Sequence, residues 1–491
     1  MPLCKLRTFL LLMLGFAVWA GPAAAGTAPS KGPLFKPHSG EEWMGTYFQG
    51  KKLGFIHSRT QVTDRAIELQ SRVYLQLKTE SGEQTTSFTQ ETELSPELRL
   101  IRFSLLQEIM GHRQKVEAHE ERGRLVYRVI GPGFDKTESL PFPPGSALAS
   151  TFLLNLMAEG LKVGREGAID VLIEPFQMMS KLRYRVVRRE NVDYQGKSVP
   201  TFVVTYDMSG MESTLWINEE GGMMRERTSQ GFESVKEPES IARDMGQDPL
   251  SVSSVITLSL VKPASDIPRP ETRRRMKLLL TNIRSPEGIP EDHRQKILHS
   301  EKAADGSYSS TLEINAEPLP PPCGGARPLG AAGGAEWLGE SPEVQARHPK
   351  IRRLAQKLTD GSPDAWQAAR SINRWVYSNL KKELVDATTA LDALNDGRGE
   401  CQSHTYLFTA LARAAGIPTK IVNGLVYSSQ YGGFLYHAWP EVYIGQWRAL
   451  DPTFGQDQVD ATHIKLSEGA EENPMKLMPF VGKVRIEVLE N

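Results

Sequence analysis

Three side chains near the C-terminus could do chemistry together. They are Cys401 in Gly399-Glu400-Cys401, His437 in Tyr436-His437-Ala438-Trp439, and Asp451 in Leu450-Asp451-Pro452-Thr453. A thiol is a weak nucleophile until a base or a positive local field makes it a thiolate. An imidazole can take that proton and later return it to a leaving group, while a carboxylate fixes the imidazole's tautomer. Each residue alone has a plainer reading: a small buried hydrophobe, a core histidine beside a tryptophan, a turn. Their joint order points to cysteine-dependent acyl transfer.

Such groups need elements that position them. Residues 401–415 carry a helical pattern, with Leu407, Phe408, Leu411 and Ala415 on one face. Gly416 suits the left-handed position that ends a helix, and Pro418 blocks continuation. Cys401 would then sit at the positive end of the helix dipole, beside backbone N–H groups able to receive an oxyanion. Residues 419–427, 437–444 and 446–450 predict three strands, the last two joined by a tight hairpin at Gly445. That hairpin would place His437 and Asp451 at neighbouring strand ends. Upstream, residues 343–359 and 363–380 space their apolar residues three and four apart, as helices do. Ser362-Pro363 reads as the second helix's start, a serine cap followed by proline. Trp366 and Trp375 read as core in preference to cleft.

Residues 397–456 resemble the transglutaminase-like superfamily. The segment reads Gly-Arg-Gly-Glu-Cys, then Ala-Leu-Ala-Arg-Ala-Ala-Gly-Ile-Pro-Thr-Lys-Ile-Val-Asn-Gly, then Tyr-His-Ala-Trp-Pro-Glu-Val-Tyr, then Trp-Arg-Ala-Leu-Asp-Pro-Thr. The resemblance spans about residues 341–466. It implies a papain-like α+β core with Cys401 as nucleophile, His437 as base and Asp451 as the orienting acid. It also implies attack on an amide through an acyl-thioester. Members cleave peptides, join glutamine to lysine or remove glycans from asparagine, so the acceptor stays open. Bacterial relatives often carry a histidine at the position of His404. It is a candidate substrate-binding residue here, with a solvated or structural role as the alternative. The calcium dependence of animal cross-linking members does not carry over. No metal and no cofactor are expected.

The chain has 491 residues, 40% hydrophobic and 24% charged, with net charge −1. These are values of an ordinary globular protein, and they lack the basic excess of a nucleic-acid binder. The chain opens with Lys5 and Arg7, an apolar run from Phe9 to Ala20, and Ala23-Ala24-Ala25. Residues 1–25 therefore read as a signal peptide, and the chain as exported, periplasmic or extracellular. No stable membrane span is expected after cleavage. Residues 41–243 read as a β-rich domain, an antiparallel sheet or half-barrel with one helix inserted near 146–161. Residues 252–317 read as a small β-like section, 318–340 as a Pro/Gly-rich linker, and 341–491 as the transglutaminase-like domain. The fold class is thus α+β, with the β-rich part first.

The resulting expectation is an exported cysteine-dependent amide hydrolase acting on a protein or peptide. The alternatives are a transglutaminase-type acyl transferase that joins glutamine to amines, and a catalytically silent binding scaffold. Three cysteines are present: Cys4, Cys323 and Cys401. Cys4 would leave with the signal peptide. A Cys323–Cys401 bridge would block the thiol chemistry, and Cys401 is expected as a free thiol.

Overall fold

The computed structural model describes residues 37, 39–79, 82–109, 112–246, 250–251, 260–283, 288–318, 334–383, 389–469, 474–477 and 479–490. The expected signal peptide, residues 319–333 of the linker with Cys323 among them, and most of the expected strand at 255–261 lie outside them. The described chain divides into two compact units, one strand-rich and one of mixed α/β composition.

The strand-rich unit is built on a 15-stranded sheet. Alternation of side chains makes its strands. In Leu100–Ile109, Phe103, Leu105, Gln107 and Ile109 are buried and alternate with half-buried Ser104, Leu106 and Glu108, the two-residue period of a pleated strand. The strand Gly40–Phe48 lies inside the sheet, not at its edge. It pairs antiparallel with Lys51–Val62 on one side and with Phe232–Lys236 on the other. The chain thus runs out as a meander on one flank and returns as a second meander from the other. The inserted helix is short, Phe152–Ala158, and buries Phe152, Leu153, Leu154, Leu156 and Met157. The unit also bears a groove of about 540 Å³, lined in part by Glu91, Arg102, His119 and Tyr127.

The mixed unit holds all three candidate catalytic residues. Four helices, Pro349–Thr359, Ala365–Asn379, Ala390–Asp396 and Cys401–Ala414, accompany a four-stranded antiparallel sheet. Across that sheet the strands run Trp447–Ala449, Gly433–Tyr443, Thr419–Ser428, Ile464–Gly469. The Cys401 helix is buried on every side along nearly its whole length, so it is the core and not a flank. Leu407, Phe408 and Leu411 meet Ile351, Trp366, Ala369 and Ile372 in one apolar cluster with Ile421 and Leu450. Trp366 is core, and Trp375 packs against that cluster.

Several boundaries differ from the sequence reading. The strand that carries His437 begins at Gly433, so His437 lies inside it and not at its end, opposite Gly424. The first helix begins at Pro349, capped by His348, which accepts from the Lys350 N–H. The second begins at Ala365, not at Pro363, because Asp364 is the cap and accepts from the Gln367 N–H. Aspartate and serine cap comparably well, so the motif Ser-Pro-Asp held two competing starts. Residues 275–315 supply three strands of a further sheet. Their strands Arg275–Ile283, Gln295–Lys302 and Tyr308–Asn315 form a sheet with the chain's last strand, Arg485–Glu490.

Candidate active site

The site is assembled at the contact between the Cys401 helix and the Gly433–Tyr443 strand. Cys401 is the first residue of its helix and is 3% exposed. One turn on, the Thr405 hydroxyl donates to the Ala438 carbonyl at 3.0 Å. That buried bond sets the register between the helix and the residue next to His437. Two glycines beside the site stand where no side chain would fit. A Cβ on Gly399 would meet the Ser403 side chain at 2.3 Å. A Cβ on Gly424, the strand partner of His437, would lie 1.9 Å from the Ile464 carbonyl oxygen.

The hairpin brings His437 to Asp451. His437 Nε2 lies 2.6 Å from Asp451 Oδ2, and both side chains are almost wholly buried. The imidazole stacks on Phe454, centroids 5.0 Å apart, which fixes the ring plane. Asp451 is fastened independently of its partner. Its Oδ1 accepts the Thr453 N–H at 2.7 Å and the Phe454 N–H at 3.1 Å. Its backbone pairs both ways with Gln456. Below this turn, Asp457 ties down to Arg370 at 2.7 Å and Asn373 at 3.0 Å on the second helix. Burial alone would raise the Asp451 carboxyl, but His437 and then His463 hold it far below the usual carboxylate range. It is an anion at any working pH.

The sulfur differs from expectation. Cys401 is disulfide-bonded in the structure, where a free thiol was expected. The chain's two other cysteines, Cys4 and Cys323, lie outside the described residues. A disulfide sulfur carries no thiolate, so chemistry at Cys401 requires reduction first.

His404 lies on the same helix, three residues after Cys401. It is completely buried. Its Nδ1 is 2.7 Å from the Glu400 carbonyl oxygen in its own helix. Burial is the main cause that lowers its pKa, and the nearby Lys382 charge adds to it. The ring is thus held within its own helix and within electrostatic reach of Asp451.

Two contributors escaped the sequence reading. Lys382 belongs to the short strand Lys381–Lys382, which pairs parallel with Arg398–Gly399 and so reaches the residues just before Cys401. Its ammonium lies 4.6 Å over the Tyr377 ring, and its charge is felt at Asp451. Half-burial lowers its pKa. The second is His463, whose Nε2 lies 3.1 Å from Asp451 Oδ2 and whose Nδ1 lies 3.2 Å from Asp460 Oδ1. Burial pushes this imidazole down, but the facing carboxylates, Asp460 foremost, raise it to about 9. Among the described residues, His437, Asp451 and His463 place one potential metal-ligating atom each within 4.8 Å of one another. Both imidazoles already face the same carboxylate oxygen at hydrogen-bond distance. The group therefore reads as a hydrogen-bonded charge chain and not as a metal centre.

Residues 352–452 match the model of the transglutaminase-like superfamily. An uncharacterised protein of Mycobacterium leprae is 30% identical over 127 residues, 24% of this chain and 44% of its own length. The chain thus spans less than half of that relative. Among solved structures, a Cytophaga hutchinsonii protein provisionally assigned as a cysteine protease superposes with TM-score 0.33 and 17% identity. It covers 45% of this chain and 88% of its own. A β-barrel-like protein of Brucella abortus, from a domain family of unknown function, has TM-score 0.34 and 11% identity. It covers 41% of this chain and 96% of its own. The matched residues hold Cys401, His437 and Asp451 and stop short of Asp460 and His463. The chain carries a transglutaminase-like superfamily domain, preceded by a strand-rich region with a large sheet.

Proposed function

We propose that this domain is a cysteine-dependent amide hydrolase that acts on a protein or peptide after reduction of Cys401. The observation that carries the reading is the buried His437–Asp451 contact at 2.6 Å, on a strand bonded to the Cys401 helix through Thr405 and Ala438. With Nε2 committed to Asp451, Nδ1 is the nitrogen of His437 that would exchange a proton with the thiol. A lone core histidine has no need of a buried, fully ionised carboxylate at that distance.

The steps follow from these roles. A dithiol donor reduces the disulfide, giving the Cys401 thiol while the donor is oxidised. His437 takes the thiol proton, leaving thiolate and imidazolium. The thiolate attacks the amide carbonyl carbon, and the carbonyl electron pair moves onto oxygen. Backbone N–H groups at the start of the Cys401 helix would receive that oxyanion. Collapse expels the amine, which takes the proton from His437, and leaves an acyl-thioester. Water, deprotonated by His437, then attacks the thioester and restores the thiol. An amine in place of water would give acyl transfer.

In this reading the protein is exported, as its first residues suggest. An oxidising compartment keeps a disulfide intact until a dedicated reductant arrives. No helix among the described residues is long and apolar enough to cross a membrane. The test is to incubate the reduced protein with a peptide library, with and without added alkylamine, and to identify products by mass spectrometry. Cleavage lost in Cys401→Ala and His437→Ala supports hydrolysis. Amine-adducted glutamine would move the reading to acyl transfer. No Cys401-dependent product from reduced protein would leave a binding scaffold.

A further inference from the structure

Asp451 holds His437, yet Asp451 is itself held from the far side. Its Oδ1 is taken up by two backbone N–H groups, and the remaining Oδ2 faces two imidazoles, His437 at 2.6 Å and His463 at 3.1 Å. His463 is completely buried and faces a carboxylate at each ring nitrogen. Both nitrogens can donate only when the ring carries both protons. Resting on the hydrolase reading above, we propose that His463 is a positioning residue of that reaction: a buried imidazolium, braced by Asp460, that fixes the Asp451 carboxylate and tempers the charge it presents to His437.

The bracing is specific. Asp460 Oδ1 also accepts the Thr462 N–H at 2.8 Å and its hydroxyl at 2.6 Å, and Oδ2 accepts Gln456 Nε2 at 2.8 Å. The fully buried Arg294 donates to the Asp460 carbonyl at 3.1 Å. Gln295 exchanges two hydrogen bonds with the backbone of Lys465. The residue 288–315 section therefore clamps the segment that carries His463. Trp439 stands edge-on to the ring at 5.1 Å and Phe454 at 6.3 Å, which excludes water. The charged or titratable groups around it are Asp451, Asp460 and His437. Asp451 is further influenced by Lys382 and His404.

The chemical use follows from charge. A lone buried carboxylate would make His437 so basic that it would keep its proton. Sharing that carboxylate with a second cation lowers the basicity of His437 toward the range where it can protonate a leaving amine. Removing the His463 charge should therefore stabilise the His437 imidazolium and move its titration upward.

The experiment uses the full-length protein, reduced, treated with chelator and labelled with ¹⁵N-histidine. Its readouts are imidazole NMR against pH, the pH profile of Cys401 alkylation by iodoacetamide, and thermal melting. His463 should carry two ring protons at pH 7.5. His463→Gln should raise the His437 titration by about one pH unit and shift the second rise of the alkylation profile with it. Asp460→Asn leaves the ring packed and removes the brace. It should act in the same direction, and it serves if His463→Gln does not fold. A singly protonated His463 at pH 7.5 overturns the proposal. So does an unmoved His437 titration in both variants with only a lower melting temperature, which would make the contact structural. If wild-type alkylation instead rises with an ordinary thiol pKa, the hydrolase reading fails, while the His463 protonation state is read separately in the same spectra.

Discussion

Replacing Asp451 with asparagine tests the catalytic reading most directly. The Asp451 Oδ1 already accepts two backbone N–H groups, so the asparagine carbonyl oxygen should take that position. Its NH₂ then occupies the place of Oδ2 and donates toward His437 Nε2. His437 must accept there, and its proton moves to Nδ1, the nitrogen assigned to the thiol. The base is thus in the wrong tautomer, a defect costing on the order of 10⁴ in rate in the Ser-His-Asp template. The thiolate loses its imidazolium partner as well, and Cys401 should titrate near the free value of about 8.5. Its thiolate fraction would then climb roughly 75-fold between pH 6 and pH 8. The paired thiolate of the reduced wild type should instead stay nearly level over that range. The assay is the second-order rate of iodoacetamide alkylation of Cys401 at a series of pH values. Shape is the criterion and not absolute rate, because a low-pKa thiolate is also a poorer nucleophile. An Asp451→Asn profile as flat as the wild type's would refute the assignment of Asp451, and a wild-type profile rising from about 8.5 would refute the ion pair itself.

Further outcomes can be checked separately. Without reductant, Cys401 should resist alkylation and turnover should be absent. Cys323→Ser should make Cys401 alkylatable from the start, as measured by mass spectrometry of the purified protein, and a Cys323→Ser sample that stays blocked would exclude that partner. The raised His463 pKa, about 9 against 6.5 in the unfolded chain, gives stability that is complete below about 6.5 and is lost as pH rises through about 9. The loss is at most about 3 kcal/mol. Denaturant melts at pH 6.5 and 9.5 should show it in wild type and lose most of it in His463→Gln. Gly424→Ala drives a Cβ into the Ile464 backbone, so it should destabilise by about 2 kcal/mol or more. An unchanged melting curve would mean the sheet yields there at no cost.

What was legible in the sequence was what local pattern encodes. The Cys401 helix announced itself through a one-sided apolar stripe, a following Gly416 at φ 76° and Pro418. The hairpin was marked by Gly445 at φ 99°, and with it came the meeting of His437 and Asp451, since a tight turn leaves little freedom in register. The remaining contributors have no such marker. Lys382 reaches the site through a two-residue parallel pairing with Arg398–Gly399, too short for any periodicity. The strand Gln295–Lys302 is mostly exposed after its first residue, so it lacked an alternating signal. Yet it is the neighbourhood of Arg294 and Gln295 that secures the Asp460–His463 segment. His463 itself sits in Asp-Ala-Thr-His, which carries no amphipathic pattern and lies beyond the four motifs that carry the resemblance and beyond the matched residues 352–452. Its signal was chemical and not periodic: a histidine three residues after an aspartate, directly before an apolar-alternating strand that also contains Lys465. Charged residues inside a strand buried on both faces demand partners. Lys465 finds Glu441 at 2.7 Å and Glu468 at 2.9 Å, and His463 finds Asp460 and Asp451. The demand for partners is readable from a sequence, whereas the identity of each partner is decided by tertiary contact.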